Sequence, residues 1–199
     1  MRNTEGSSRA FSLEVRAEDE EVIRRKISAI LSEIEDSISK VDPSSTVAFI
    51  YMIFGARRIF VTGQGRSGLI GKAFAMRLMH LGFESYTIGD PITPAVREGD
   101  LLVACSGSGE TYSTCHQARA ARDAGARVVA ITSYPNSSLS ALSDHVIFLA
   151  GDEIEESAQI GKSVFEQALL IYFDAICAVI KDKLGLTDPQ ILSRHANLE

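Results

Sequence analysis

Several things are scarce in this chain, and each shortage narrows the field. There is no run of Lys and Arg to offset a formal net charge of −6. A nucleic-acid footprint needs such a cluster, so that class of partner is set aside. The three cysteines, Cys105, Cys115 and Cys177, are odd in number and have no C-x-x-C spacing. A disulfide framework and a zinc site are both disfavoured, and a reducing compartment fits. Long apolar runs are missing too. ALLIYF and AICAVI are split by Asp174, which leaves each short of a membrane span. The polar start MRNTEGSSRAFSLEV has no apolar signal core. No repeat or low-complexity linker marks a second domain. Tryptophan is absent, but the composition is otherwise ordinary for a globular protein, 45% hydrophobic and 23% charged. The expectation is a soluble, cytoplasmic protein whose 199 residues suffice for one α/β domain.

What the chain does contain is ordered. Residues 1–17 read as an N-terminal arm, frayed or held by a partner, and residues 18–199 as one domain. From Glu18 to Lys40, Val22, Ile23, Ile27, Ile30, Leu31, Ile34 and Ile38 recur at helical spacing opposite a charged face. Asp42-Pro43 starts another helix to about Phe54, with an aspartate cap and proline in the first turn. Short β-rich runs then alternate with helices. Strands are expected at 57–63, 85–89, 100–106, 127–133 and 145–151. Helices are expected at 69–82, 110–124, 162–183 and, after a cap at Asp188-Pro189, near the end. This alternation predicts a three-layer αβα fold of class α/β. Its five-stranded parallel sheet should be doubly wound, flavodoxin-like, in order 2-1-3-4-5.

Two glycine-serine loops follow the first and third strands. GQGRSG at 63–68 fits G-x-G-x-x-G, and SGSGET at 106–111 opens the next helix but one. In the expected order those strands are neighbours, and ligands bind where such strand ends meet. Both loops offer backbone N–H groups at helix N-termini, where the dipole favours an anion. Gly65, Arg66, Ser67, Ser106, Gly107, Ser108, Gly109, Glu110 and Thr111 are therefore candidate ligand-binding residues. The hydroxyls supply donors, the glycines allow close backbone approach, and Arg66 can pair with a phosphate or an enediolate. A dinucleotide's pyrophosphate would use only the first loop, with Asp90 near the ribose; a phosphate monoester uses both. Helix capping alone is the plainer account of each loop taken singly.

VTGQGRSGLIGKAFAMRLMHLG followed by DLLVACSGSGET resembles the sugar isomerase (SIS) domain family. The GRSG loop, AMRLMHLGF, ITPA, FEQ and the RHANLE ending resemble the 6-phospho-3-hexuloisomerases within it. The resemblance implies interconversion of D-arabino-hex-3-ulose 6-phosphate and fructose 6-phosphate, as used in formaldehyde fixation. It implies no cofactor, no metal, assembly as a homo-oligomer such as a tetramer, and a functional link to the synthase that makes the 3-hexulose phosphate. It does not imply a membrane or nucleic-acid partner. Other readings are a non-catalytic SIS sugar-phosphate sensor, an arabinose 5-phosphate isomerase and a dinucleotide-dependent oxidoreductase.

Moving a carbonyl between C3 and C2 takes a proton from one carbon and returns it to the other. One carboxylate can serve both, best with a pKa raised by apolar surroundings. Glu166 is the candidate. Leu169, Leu170 and Phe173 follow it at helical spacing, and the resemblance makes it the FEQ base; a dipole-stabilised first-turn glutamate is the plain alternative. The stretch Gly161-Lys162-Ser163-Val164-Phe165-Glu166 carries one residue more than the family's usual spacing. His195, in the tail, is the second catalytic candidate, for proton movement between O2 and O3. The resemblance brings that tail to the active site, in its own or a neighbouring subunit. His80, His116, His145, Cys105 and Cys115 have no metal-site spacing and read as structural.

Overall fold

The computed structural model describes residues 17–151 and 157–198. The expected arm and most of the acidic segment after residue 151 lie outside them. The chain runs α1 (Ala17–Ser39), α2 (Pro43–Phe54), β1 (Ile59–Gly63), α3 (Gly65–Leu81), β2 (Ser85–Thr87), β3 (Leu101–Cys105), α4 (Tyr112–Asp123), β4 (Arg127–Thr132), α5 (Ser138–Ala141) and β5 (His145–Phe148). A 3-10 turn at Ile160–Lys162 then leads to α6 (Val164–Leu184) and α7 (Asp188–Leu192). All strand pairs are parallel, in the order β2-β1-β3-β4-β5. The expected class and strand order hold.

Strand alternation explains the layering. Ile59, Val61, Leu101, Val103, Cys105, Val129 and Ile131 point to one face, where α1, α2, α3 and α6 cover them. Phe60, Leu102, Ala104, Val128 and Ala130 point to the other, against Ala118, Ala121 and Leu139 of α4 and α5. Both faces are buried, so the strands read as continuous apolar runs. On the first face Phe74 of α3 stacks on Phe173 of α6, centroids 3.8 Å apart. That pair holds two helices side by side, and both begin at the carboxyl ends of the strands.

The local signals mostly act as expected. Asp42 accepts hydrogen bonds from the Ser44 and Ser45 N–H groups and starts α2. Gly82, at φ 101°, ends α3. Several boundaries move, among them three helix starts. α3 begins at Gly65 rather than Leu69, because the glycine loop is itself the first turn. α6 begins at Val164, because Gly161 at φ 65° interrupts the helical path. The last helix takes Thr187, not Asp188, as its cap, and the Thr187 N–H donates to Gln190 Oε1 at 2.8 Å.

Two further features bear on the expectations. Only Ile34 of the apolar stripe on α1 is buried; Val22, Ile23, Ile27 and Leu31 are exposed on this chain. At the amino end of β3, Asp100 has no solvent exposure and receives both Arg57 and Arg58, the latter at 2.6 Å. Among the described residues no helix is long and apolar enough to cross a membrane.

Candidate active site

β1 and β3 pair so that Gly63 stands beside Cys105. The two glycine-serine loops therefore leave the sheet as neighbours. Between them lies an open cleft of about 200 Å³, lined by Gln64, Ser67, Cys105, Ser106, Gly107, Ser108, Thr111 and Glu166. α3, α4 and α6 all start at its edge. The first amides of a helix have no intrahelical acceptor, and the dipole of each helix favours negative charge near its start.

The second loop is held by hydrogen bonds to β4 and within itself. The Ser106 N–H donates to Ile131 O at 3.1 Å, and the Gly107 carbonyl accepts from the Ser133 N–H and the Thr132 hydroxyl. Ser106 Oγ accepts from the Gly109 N–H at 3.2 Å and lies 3.0 Å from Thr111 Oγ1. Gly109 sits at φ 66°, and a Cβ there would collide with the Ser137 side chain. Gly68 lets α3 lie against β1, since its Cβ would come within 2.5 Å of the Gly63 carbonyl oxygen. Gly109→Ala is thus expected to cost about 1–3 kcal/mol through backbone strain, with a matching loss of phosphate affinity. Urea unfolding and inhibition by inorganic phosphate would check both; an unchanged midpoint and inhibition constant would contradict the prediction.

Of the residues singled out in the sequence, Ser67, Ser106, Gly107, Ser108, Thr111 and Glu166 come together in this cleft. Gly65 forms the first residue of α3, and Gly109 shapes the loop from beneath. Arg66 is half exposed, with Nε 3.6 Å from Glu166 Oε2. The side chain of Glu166 is itself only 19% exposed. Its neighbours differ from the apolar walls expected of it. Leu169 and Phe173 are buried deeper along α6, while the first turn faces hydroxyls, glycine backbone and a guanidinium. The side chain of Lys162 lies outside what the structure describes.

Two candidates are placed elsewhere. Glu110 turns its carboxylate away to accept the Ser138 N–H at 2.7 Å, and hydrogen bonds from Ser138 hold it below the usual range. It braces the start of α5 and leaves the cleft to the serines. His195 stacks on buried His80, ring centroids 4.0 Å apart, at the far end of α3. His80 follows Ser67 by thirteen residues, so at 1.5 Å per residue it sits about 20 Å from the cleft. Within one chain His195 and Glu166 do not meet. Asp90, the acid a dinucleotide would need, is taken by Lys72 at 2.8 Å and by the Thr87 hydroxyl.

Gln64 and Cys105 line the cleft without having been singled out as ligand-binding. Gln64 caps α3 by position but its side chain makes no capping bond, which leaves the carboxamide for the cleft. A glutamine where Ser, Asn or Asp is usual at a helix start was the available signal. Cys105 gave none: burial pushes its thiol up to about 12, which keeps it protonated and inert. Among the described residues no cluster of His, Cys, Asp or Glu could hold a metal.

A family model for the SIS domain matches residues 52–176, which include both loops and Glu166. The 3-hexulose-6-phosphate isomerase of Bacillus subtilis is 37% identical over 179 residues, covering 87% of this chain and 97% of its own. The Mycobacterium gastri protein of the same name is 37% identical over 182 residues, covering 89% of this chain and 92% of its own. A solved Methanococcus jannaschii structure, from which 3-hexulose-6-phosphate isomerase function was inferred, superposes with a TM-score of 0.78 at 34% identity, covering 88% of this chain and 99% of that one. Paired serine loops on adjacent parallel strands, and a domain match spanning both, establish that this chain belongs to the SIS domain family.

Proposed function

We propose that the protein is a 3-hexulose-6-phosphate isomerase, interconverting D-arabino-hex-3-ulose 6-phosphate and fructose 6-phosphate. The observation that carries this reading is a carboxylate, Glu166, facing a hydroxyl-lined cleft built from both loops. The relatives named for this activity, alike over nearly their whole length, narrow the substrate.

The phosphate sits among Ser67, Ser106, Ser108 and Thr111 and the amides that start α3 and α4. This fixes one end of the sugar and leaves C2 and C3 beneath Glu166. The carboxylate takes the proton from C2, electrons move to form the C2–C3 double bond, and negative charge gathers on O3. Arg66, beside the carboxylate, stabilises that charge. Returning the proton to C3, with loss of the O2 proton and gain of one at O3, completes fructose 6-phosphate. A second group must mediate the exchange between the oxygens. His195 takes that role only as part of a neighbouring subunit, given its position in its own chain.

The wider reading follows from this one. Residues 18–199 act as one catalytic domain, and the enzyme works in the cytoplasm as a homo-oligomer, with a tetramer as the expected size. Its product or substrate is shared with a 3-hexulose-6-phosphate synthase in formaldehyde fixation by the ribulose monophosphate route. No cofactor or metal is required. Steady-state assay with hex-3-ulose 6-phosphate, arabinose 5-phosphate and ribulose 5-phosphate tests it. Turnover should be confined to the first. Preference for arabinose 5-phosphate would replace the assignment, and binding without turnover of any of the three would make the protein a sensor.

A further inference from the structure

The carboxylate of Glu33, on α1, is far from the cleft in sequence but tied to the start of the catalytic helix. It accepts three hydrogen bonds from one short segment: the Ala158 N–H at 2.6 Å, the Ser157 hydroxyl at 2.8 Å and the Gln159 side-chain Nε2 at 3.2 Å. That segment runs directly into the 3-10 turn and α6, and Glu166 follows Gln159 by seven residues. Four residues on along α1, the buried hydroxyl of Ser37 donates to the Ala150 carbonyl. α1 therefore grips the chain on both sides of the stretch between β5 and α6. Ile34, between these two polar residues, packs into the same core as Phe165, Ala168 and Leu169 of α6.

We infer that Glu33 is a positioning residue for Glu166: its hydrogen bonds to residues 157–159 set where α6 begins, and so how the carboxylate stands over the cleft. This rests on the assignment of Glu166 as the base. The physical need is specific. Gly161, at φ 65°, interrupts helical geometry between the clasp and Ser163, and the Ser163 hydroxyl reaches back to Ile160 O at 2.6 Å. A helix preceded by an irregular turn has no regular backbone upstream to define its first residue. The contacts of Glu33 supply that reference. Charge-assisted hydrogen bonds to an ionised carboxylate are the stronger kind, and three converging on one group fix direction as well as distance. Burial alone would raise the Glu33 pKa, but hydrogen bonds from Ala158, Ser157 and Gln159 outweigh it, and the group is charged at neutral pH.

A shift of about 1 Å at a catalytic group is enough to cost on the order of a hundredfold in rate. Glu33→Ala and Glu33→Gln should therefore lower kcat on the order of ten- to a hundredfold, alanine more than glutamine. KM and competitive inhibition by inorganic phosphate should stay near wild type, because the serine loops are built independently of α1. Ser157→Ala, which removes a single donor, should give a smaller loss of the same kind, and it guards against a Glu33 variant that fails to fold. Hydrogen exchange on the wild type and variants supplies a readout that needs no turnover. Amides at 158–167 should lose protection while those at 106–115 keep theirs. Unchanged kcat, or a kcat loss with no local change in exchange, would overturn the inference. So would loss of phosphate inhibition in parallel with kcat, which would mean general disruption. If the wild type fails to turn over hex-3-ulose 6-phosphate, the functional assignment falls. The positional claim then stands or falls on the exchange pattern alone.

Discussion

Replacing Glu166 with glutamine is expected to lower kcat on the order of 10²–10⁴-fold while leaving inhibition by inorganic phosphate unchanged. The two halves of this result come from different parts of the site. Glutamine keeps the shape of the side chain and can still occupy the space beside Arg66, but it cannot accept a proton from carbon. The proposed anion site, in contrast, is made of the Ser106 to Thr111 loop and the start of α3. The hydrogen bonds of that loop run to β4 and within the loop itself. Steady-state kinetics on the variant, with phosphate as competitor, separates the two. Turnover near wild type would remove Glu166 from the chemistry. Loss of phosphate inhibition would show that the carboxylate shapes the anion site as well. Arg66 gives the comparison its sharpness. Its Nε lies 3.6 Å from Glu166, and in the proposed mechanism the guanidinium meets charge on the substrate once the carboxylate has taken its proton.

The second large effect is structural. Asp100→Asn is expected to destabilise the fold by roughly 3 kcal/mol, because it removes the counter-charge from the largely buried Arg58 guanidinium. For a domain of this size that corresponds to a melting point lower by about 6–12 °C. Asp100 is without solvent exposure and binds Arg57, Arg58 and the Arg97 N–H at once. It thereby joins the amino ends of β1 and β3, the same two strands whose far ends carry the site. Burial pushes its pKa up, but the Arg58 hydrogen bonds, the Arg97 N–H and the charge of Arg58 outweigh burial and hold it below 3.8. A carboxyl depressed in the folded state stabilises fully above its unfolded pKa and ceases to do so as pH falls through the folded value. The gap between wild type and Asp100→Asn should therefore be constant near neutrality and narrow only below about pH 3.8. Urea unfolding across that range is the check. A gap that stayed constant to the lowest pH would locate the cost in packing instead of charge.

Much of the architecture was legible because its causes are local. Period-2 burial on both faces gave β1, β3 and β4 as unbroken apolar runs, and Asp42-Pro43 and Gly82 marked helix ends that the structure keeps. Parallel strands joined by helices leave few topologies, so the strand order could be reasoned out. Two of the boundaries that moved did so where glycine made two paths equally cheap. GQGRSG reads as a loop but winds into the first turn of α3, and Gly161 delays the start of α6. The site was legible to the extent that serines and glycines after adjacent strands imply convergence. Glu110 belongs to the same SGSGET motif as the cleft-lining serines, yet it faces α5, because its direction is set by where Ser138 lies. His195 is a parallel case, its ring placed by a stack on His80 that no pattern within RHANLE announces.

The sequence by itself determined the class of fold, the order of the strands and the pairing of two anion-ready loops, since each follows from periodicity, chain stiffness and helix-end chemistry acting over a few residues. Only the tertiary structure decided which carboxylates face the cleft, that Arg66 meets Glu166, that Gln64 lines the cleft and that α1 reaches the start of α6 through Glu33. Those contacts join residues far apart in the chain. Their partners are chosen by packing of the whole domain, and side-chain direction is among the last things that packing settles.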